Sequence, residues 1–158
     1  MISRLSTTDF YKRLKDNTKI GNPIIKGTPF AGYVKIGEFN KPFFGDFDDS
    51  KFRLTKNSSI SPIPYIIHGF IKSKNDSETE ISIDIKPIGF GFYWIRLFPF
   101  ALFILFYVIY FCQEAKLDMD VFILLNLFIL LLFSPILIVN LMKKRFVKKF
   151  NKIFEIIE

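Results

Sequence analysis

The side chains that most often carry out chemistry in proteins are scarce in this chain. Its 158 residues include one histidine, His68, and one cysteine, Cys112. A single cysteine with a single histidine cannot supply CxxC or Cys/His metal-ligand spacing, and no Ser/His/Asp arrangement is legible around His68. His68 stands in an alternating, strand-like segment, and we interpret it as a structural or surface residue. We therefore predict that the protein is not an enzyme and has no catalytic residues, no metal site and no cofactor.

Two further patterns resemble parts of a binding site without completing one. Asp46, Asp48 and Asp49 form an acidic cluster, but the Gly and Glu that an EF-hand calcium loop needs at later positions are missing. We predict a solvated turn there. Gly89 and Gly91 form a lone GxG, which does not by itself make a phosphate loop and suits a flexible joint between a strand and a helix.

Basic residues are the main charged feature, and they give the chain a formal net charge of +7. Six Lys or Arg and only two Glu fall within residues 143–158. Because this cluster directly follows an apolar run, we predict an anionic membrane surface as its partner. We do not expect nucleic acid, for which the other basic residues are too scattered. The cations assigned to the membrane interface are Lys143, Lys144, Arg145, Lys148 and Lys149.

Residues 121–142 contain no charged side chain, and 17 of these 22 residues are Leu, Ile, Phe or Val. As a helix this segment would be about 33 Å long, enough to cross a hydrocarbon core of roughly 30 Å. The alternative is a helix buried in a soluble core, but so small a domain could hardly bury such a helix on all sides. We therefore predict a transmembrane helix.

A second apolar segment, residues 88–112, is predicted as the first transmembrane helix. Its entirely uncharged part, residues 97–112, would be only about 24 Å long, so the crossing must begin earlier. Trp94 suits the headgroup level, and Arg96 can extend its guanidinium to the same level. Tyr110 would mark the other interface, and Pro99 is expected to loosen or kink the first turns.

The residues between and after the two apolar segments predict the orientation. Residues 113–120 hold three acids and one lysine, whereas residues 143–149 hold five cations. Because positive residues stay on the cytoplasmic side, we predict an antiparallel hairpin in the bacterial inner membrane, with both termini in the cytoplasm. The acidic loop would lie outside.

Asn126 and Asn140 are the amide residues within the second apolar segment. They are fourteen residues apart, with Phe133 midway, and therefore lie near one face of a helix. Amides on such a stripe can form hydrogen bonds with the first helix or with another copy of the chain. Each could equally lie near an interface and be hydrated, and the sequence leaves these alternatives open.

The first 87 residues predict a cytoplasmic α+β domain. Ser6, with Asp9 three residues later, indicates the start of a helix that ends at Asn17 or Gly21. After Pro23 the apolar period changes to two, which is typical of strands and predicts an antiparallel meander of about four strands. The alternating segments are residues 30–36, 52–54, 63–71 and 81–85, and a turn is predicted at residues 41–50.

Residues 143–158 predict a basic amphipathic helix with its apolar side chains on one face. That face consists of Phe146, Phe150, Ile153, Phe154 and Ile157. It can lie on anionic lipid, or it can pack on the sheet, which the amino-terminal helix alone would cover poorly. We favour packing on the sheet, in which case both ends of the chain complete the domain.

Five short motifs follow one another along the chain. They are S-x-x-D at residues 6–9, Gly32-Tyr33-Val34, Phe52-Arg53-Leu54, PYIIHGFI at residues 64–71 and TEISI at residues 79–83. Together they resemble the pattern of small uncharacterised bacterial membrane proteins that have an amino-terminal cytoplasmic β-rich domain and two membrane helices. The resemblance implies a membrane protein and carries no functional residues with it.

These observations favour a membrane-anchored binding or scaffolding module at the cytoplasmic face. One alternative is a homo-oligomeric pore or transporter accessory subunit built on Asn126 and Asn140. Another is a membrane protein that gives immunity against a toxin. The expected partners are a bilayer with an anionic inner leaflet and either an unidentified protein or further copies of the chain.

Overall fold

The chain has an α+β fold with one mixed sheet and two long apolar helical segments. The structure, a computed structural model, describes residues 1–26, 40–58, 63–112 and 118–157. Its helices are α1 (Thr7–Asn17), α2 (Pro23–Lys26), α3 (Gly89–Cys112), α4 (Met119–Leu132) and α5 (Ser134–Ile153). Its strands are β1 (Ile2–Ser3), β2 (Thr18–Ile20), β3 (Phe43–Phe47), β4 (Lys51–Lys56), β5 (Tyr65–Ser73), β6 (Thr79–Pro87) and β7 (Ile156–Ile157).

The seven strands of the described residues have the order β2-β3-β4-β5-β6-β1-β7. Strands β3 to β6 are consecutive and antiparallel, as in a meander, whereas β2 runs parallel to β3. At the other edge, β1 pairs antiparallel with both β6 and β7. The first and last strands of the chain thus lie side by side.

The α+β class is confirmed, but the details of the predicted meander differ. The alternating segments 52–54, 63–71 and 81–85 coincide with β4, β5 and β6. The turn predicted at residues 41–50 is wrong, because Phe43–Phe47 forms β3. Phe43, Phe44 and Gly45 are all buried, so this strand lacks the alternation of a half-buried one. The strand predicted at residues 30–36 lies outside the described residues.

Helix α1 begins as the sequence predicts. The Ser6 hydroxyl accepts a hydrogen bond from the Asp9 N–H at 3.1 Å and donates one to the Asp9 carboxylate at 2.7 Å. This cap satisfies one of the amides that the first turn leaves without a helical partner. The helix ends at Asn17, because Thr18 adopts an extended conformation and begins β2.

A cluster of phenylalanine rings fills the space between the sheet and the helices α1 and α5. The Phe154 ring lies 4.7 Å from that of Phe10 and 4.6 Å from that of Phe150. Phe150 in turn lies 5.9 Å from Phe43 and 5.6 Å from Phe52. Each of these side chains is at most 1% exposed. Of the carboxyl-terminal apolar face, whose position the sequence left open, Phe146, Phe150 and Phe154 therefore pack on the sheet, whereas Ile157 lies in β7 and is 43% exposed.

The chain reverses direction after α5 and joins the sheet. Glu155 has a φ of 49°, the left-handed conformation that is common just beyond a helix end. The Arg13 guanidinium holds this turn by donating to the Ile153 carbonyl at 2.7 Å and to the Glu155 carboxylate at 2.6 Å. Residues 143–158 are therefore not helical to their end, since α5 stops at Ile153 and β7 follows.

The two long apolar segments form an antiparallel hairpin. The Phe100 and Phe133 rings lie 5.0 Å apart, and the Tyr110 and Phe122 rings lie 5.2 Å apart. The later residue of the first segment thus contacts the earlier residue of the second, which is the order expected for antiparallel neighbours. The intervening residues 113–117 lie outside the described part of the chain.

Proline acts differently in the two segments. Helix α3 is continuous through Pro99. The second segment is interrupted at Phe133, because Pro135 has no N–H to continue the hydrogen-bond ladder. Helix α5 then runs unbroken from the apolar segment to the sheet. The boundary predicted between residues 142 and 143 therefore lies inside one helix.

Both segments meet the sheet at the same end of its strands, which we call the hairpin end. Strand β6 ends at Pro87, and α3 begins two residues later at Gly89. Pro87 is the register partner of Tyr65, the first residue of β5. The Lys143 ammonium of α5 lies 4.7 Å from the centroid of the Tyr65 ring.

Because α5 and β7 complete the core, we expect a fragment of residues 1–87 not to fold, although it contains β1 to β6. Joining it to residues 143–158 through a short Gly/Ser linker should restore cooperative unfolding, since Tyr65 brings Pro87 and Lys143 close together. Circular dichroism during urea titration checks this. The matched control is the joined protein with Phe150→Ala, which should be about 3–5 kcal/mol less stable. Cooperative unfolding of the 1–87 fragment would contradict the expectation.

Candidate functional site

The packing of α5 determines where the predicted interface cations lie. Phe146 and Phe150 face the sheet and are at most 5% exposed. Because an α-helix has about 3.6 residues per turn, Lys148 lies on the side of α5 opposite these rings, whereas Lys149, three positions from Phe146, lies at the edge of the buried face. The exposed cations are Lys144, Arg145, Lys148 and Lys149, and Lys143 is half-buried.

A buried tyrosine joins both helical segments to the sheet at the hairpin end. Tyr65 is 5% exposed, and the Phe92 ring meets it edge-on at 5.8 Å. The Lys143 ammonium lies over the Tyr65 ring, and the Arg96 guanidinium lies 4.3 Å from the Phe92 centroid. Each cation–π contact stabilises by about 0.5–2 kcal/mol. The structure thus brings two predicted interface residues, Arg96 and Lys143, into one aromatic junction.

Trp94 and Tyr110 lie on α3 outside this junction. Trp94 is 48% exposed and stacks on Phe90 at 6.0 Å and on Phe98 at 5.1 Å. Tyr110 lies about 24 Å further along the helix at 1.5 Å per residue. Its ring contacts Phe122 of α4. These two residues therefore stand towards opposite ends of the hairpin.

A basic cleft lies between α5 and the strands at the hairpin end. Its cations are Lys41, Lys56, Arg145 and Lys149, and its cavity of about 330 Å³ is also lined by Pro42, Asn57, Met142 and Phe146. The Lys41 ammonium donates to the carbonyls of Lys15 at 2.8 Å and Thr18 at 3.4 Å. Burial lowers the pKa of Lys56, and the charge of Lys149 lowers it further. None of the described lining residues is acidic.

The other flank of α5 carries a second and more open cationic surface. It is lined by Asn140, Lys143, Lys144, Val147, Lys148 and Asn151. All of these residues belong to α5, so this surface is one side of a helix rather than a cleft between elements. Lys144 and Lys148 therefore have the same spacing as Arg145 and Lys149 but different surroundings.

His68 belongs to a polar row that crosses the sheet on the face opposite the phenylalanine cluster. The row consists of the register partners Asp46, Arg53, His68 and Asp84 on β3, β4, β5 and β6. The Arg53 guanidinium binds the Asp46 carboxylate, with Nε donating at 2.9 Å. Burial lowers the pKa of His68, and the nearby Lys86 and Arg53 cations lower it further. His68 is thus a partly exposed strand residue, as predicted.

The acidic cluster is divided between β3 and the turn that follows it. Asp46 lies on β3. The Asp48 carboxylate accepts hydrogen bonds from the backbone N–H of Ser50 at 2.8 Å and of Lys51 at 2.9 Å. These bonds favour the ionised form and lower the pKa of Asp48 to about 2. In the described part of the chain, no group of three or more His, Cys, Asp or Glu could hold a metal ion.

The structure gives the two asparagines of the second segment different surroundings. The Tyr107 hydroxyl of α3 donates to Asn126 Oδ1 at 2.6 Å, and Asn126 Nδ2 donates to the Phe122 carbonyl at 2.8 Å. Asn126 therefore joins the two segments within one chain. Asn140 is exposed and lies beside Lys143 on the open cationic surface.

The sequence did not assign Lys41, Lys56 or Tyr65 to any site. Lys56 and Lys149 are 93 positions apart, and no motif or period relates them. They share a cleft because β4 ends, and α5 enters the sheet domain, at the hairpin end. The strand register places them together, and no local sequence pattern predicts that register.

Comparison of the chain with models of protein families, with curated proteins and with solved structures finds no match. The resemblance to small bacterial two-helix membrane proteins therefore stays a prediction.

Removing the Tyr107 hydroxyl should weaken the hairpin, because the Asn126 carbonyl then loses its partner among apolar side chains. We expect Tyr107→Phe to lower the stability by about 0.5–2 kcal/mol in SDS-induced unfolding of the detergent-solubilised protein. The matched control is Tyr110→Phe, which removes the same atom from a residue held by ring contacts. Equal losses in the two variants would argue against the interhelical hydrogen bond.

Proposed function

We propose that the chain is a multi-pass protein of the bacterial inner membrane whose sheet domain acts as a binding or scaffolding module in the cytoplasm. The hairpin of α3, α4 and the first half of α5 crosses the bilayer. The sheet, α1 and the second half of α5 form the module that the hairpin anchors.

The exposure of the two apolar segments carries this proposal. Helix α3 is 24 residues long, and α4 with α5 covers the 35 residues Met119–Ile153. Only 6% of the most apolar 18 residues of each stretch is buried. A core helix of a soluble protein would bury most of such a surface. A helix of 24 residues extends about 36 Å, which suits a hydrocarbon core of about 30 Å. Lipid is the solvent that fits this surface.

The charge distribution supports a cytoplasmic sheet domain. Arg96 and the cations at residues 143–145 lie where the hairpin meets the sheet, while Asp118 and Asp120 lie at its other end. Positive residues that flank membrane segments stay on the cytoplasmic side. Both ends of the chain join the sheet and would therefore be cytoplasmic.

The face of the sheet opposite the phenylalanine cluster, which we call the outer face, supports a binding role. Phe70 of β5 is 63% exposed there, with Lys51 and Ser82 as register partners. Exposed aromatic side chains among polar ones are common anchors of protein interfaces. The pore alternative has less support, because the Asn126 amide is bonded within one chain.

Reporter fusions test the orientation. Alkaline phosphatase, which is active only outside the cytoplasm, should be active at Lys116 and inactive at Glu158, and a reporter that fluoresces in the cytoplasm should give the reverse. Alkaline carbonate should leave the chain in the membrane pellet. A freely soluble chain would refute the membrane anchor, and the inverted reporter pattern would refute the orientation.

Photo-crosslinking in cells tests the binding role. With p-benzoylphenylalanine in place of Phe70, we expect a discrete adduct of larger mass. The control is the same substitution at Lys152, which is exposed on α5 away from the outer face of the sheet. If no adduct forms at position 70, a protein partner on this face is ruled out. The same set of adducts at positions 70 and 152 would rule it out as well.

A further inference from the structure

The basic cleft lies at the hairpin end of the sheet. Lys56 ends β4 and is the register partner of Phe43 at the start of β3. The adjacent strand β5 begins at Tyr65, which contacts Lys143 of α5. Met142, the last residue of the predicted membrane segment, lines the cleft. The cleft is therefore level with the proposed membrane surface.

Several elements bring cations into this cleft. Lys56 comes from β4, Arg145 and Lys149 come from α5, and Lys41 precedes β3. Burial lowers the pKa of Lys56, and the charge of Lys149 lowers it further. The mutual repulsion of such cations is relieved by an anion between them. The arrangement thus favours a compact anion with several oxygen acceptors.

Apolar side chains decide which source of that anion fits. Pro42, Met142 and Phe146 line the cleft beside the cations. A soluble phosphate gains nothing from these side chains, whereas the glycerol carbons of a lipid, which lie at the hydrated surface of the bilayer, gain by leaving water. The position of the cleft gives it access to a headgroup.

We propose that the basic cleft binds the phosphate group of an anionic phospholipid of the inner leaflet, an inference that rests on the membrane anchor proposed above. The Arg145 guanidinium presents a planar fork to two phosphate oxygens, and Lys149 and Lys56 add point charges. Lys41 contributes its charge, since two carbonyls already orient its ammonium group. Phosphatidylglycerol, an anionic phospholipid, serves as the probe.

The experiment compares two double variants of the full-length chain. Arg145→Gln with Lys149→Gln alters the cleft, and Lys144→Gln with Lys148→Gln removes two cations of the same spacing from the open surface. Each protein is extracted from mixed phosphatidylglycerol and phosphatidylcholine bilayers, and native mass spectrometry measures the lipid that stays bound. A charge-assisted hydrogen bond contributes about ten-fold or more in affinity, so the cleft variant should bind phosphatidylglycerol about a hundred-fold more weakly. The open-surface variant should lose less than about five-fold, because exposed ion pairs that solvent screens contribute little.

Equal losses in the two variants would overturn the cleft, because a diffuse cationic surface would then explain the binding. Equal retention of phosphatidylcholine and phosphatidylglycerol by the unaltered chain would overturn it as well. A second arm adds inorganic phosphate or glycerol 3-phosphate. If either compound displaces phosphatidylglycerol when both are present at the same concentration, the ligand is a soluble phosphate rather than a headgroup. The lipid proposal is then overturned.

Flotation with pure phosphatidylcholine vesicles separates this inference from the membrane anchor. The unaltered chain and both variants should float, because the hairpin inserts whatever the cleft binds. If the unaltered chain does not float, the anchor fails and the inference fails with it. If it floats but shows no preference for phosphatidylglycerol, only the cleft inference fails. Unchanged circular dichroism of the two variants establishes that any loss of binding is not a loss of fold.

Discussion

The burial of Phe146 and Phe150 of α5, and of Phe154 directly after it, against the sheet is the constraint on which the rest of the structure depends. Phe146, Phe150 and Phe154 recur at every fourth position on one helical face, and each is at most 5% exposed. Burying such a ring contributes about 1.5–3 kcal/mol, whereas an exposed ion pair contributes about 0–1 kcal/mol. Hydrophobic packing therefore sets the rotation of α5 about its axis. The cations occupy the positions that the phenylalanines leave.

The same packing makes the sheet domain depend on both ends of the chain. The Ser3 hydroxyl donates to the Phe154 carbonyl at 2.5 Å across 151 positions of sequence. The core is thus incomplete until α5 has been synthesised, which is after both apolar segments. Closing so long a loop costs entropy that grows only slowly with its length, and the hairpin reduces the cost by returning the chain to Tyr65. Membrane insertion of the hairpin would therefore favour closure of the sheet.

The parts that the sequence predicts have patterns several residues long, namely the two apolar segments, the Ser6 cap and strands β4 to β6. The sequence does not predict strand β3, because the Lys, Pro and Asp residues in and around it are typical of turns, although its three phenylalanines are typical of strands. Strands β1, β2 and β7 are two or three residues long and cannot show a period. The candidate site was predictable only in the cluster at residues 143–149. Lys41 and Lys56 join that cluster through strand pairing, which a local pattern does not encode.

The proposed cleft would couple the membrane surface to the stability of the sheet domain. One wall of the cleft belongs to the strands and the other to α5, so repulsion between its cations opposes the contact on which the core depends. A ligand that binds only the folded state stabilises it by about 2.7 kcal/mol at a hundred times its Kd. Because α5 passes from the apolar segment into the core without a linker, the rings that hold the domain together and the cations that would hold a headgroup lie on one helix. A change in the anionic lipid of the leaflet would then alter the packing of the sheet domain directly, without a separate element to transmit it.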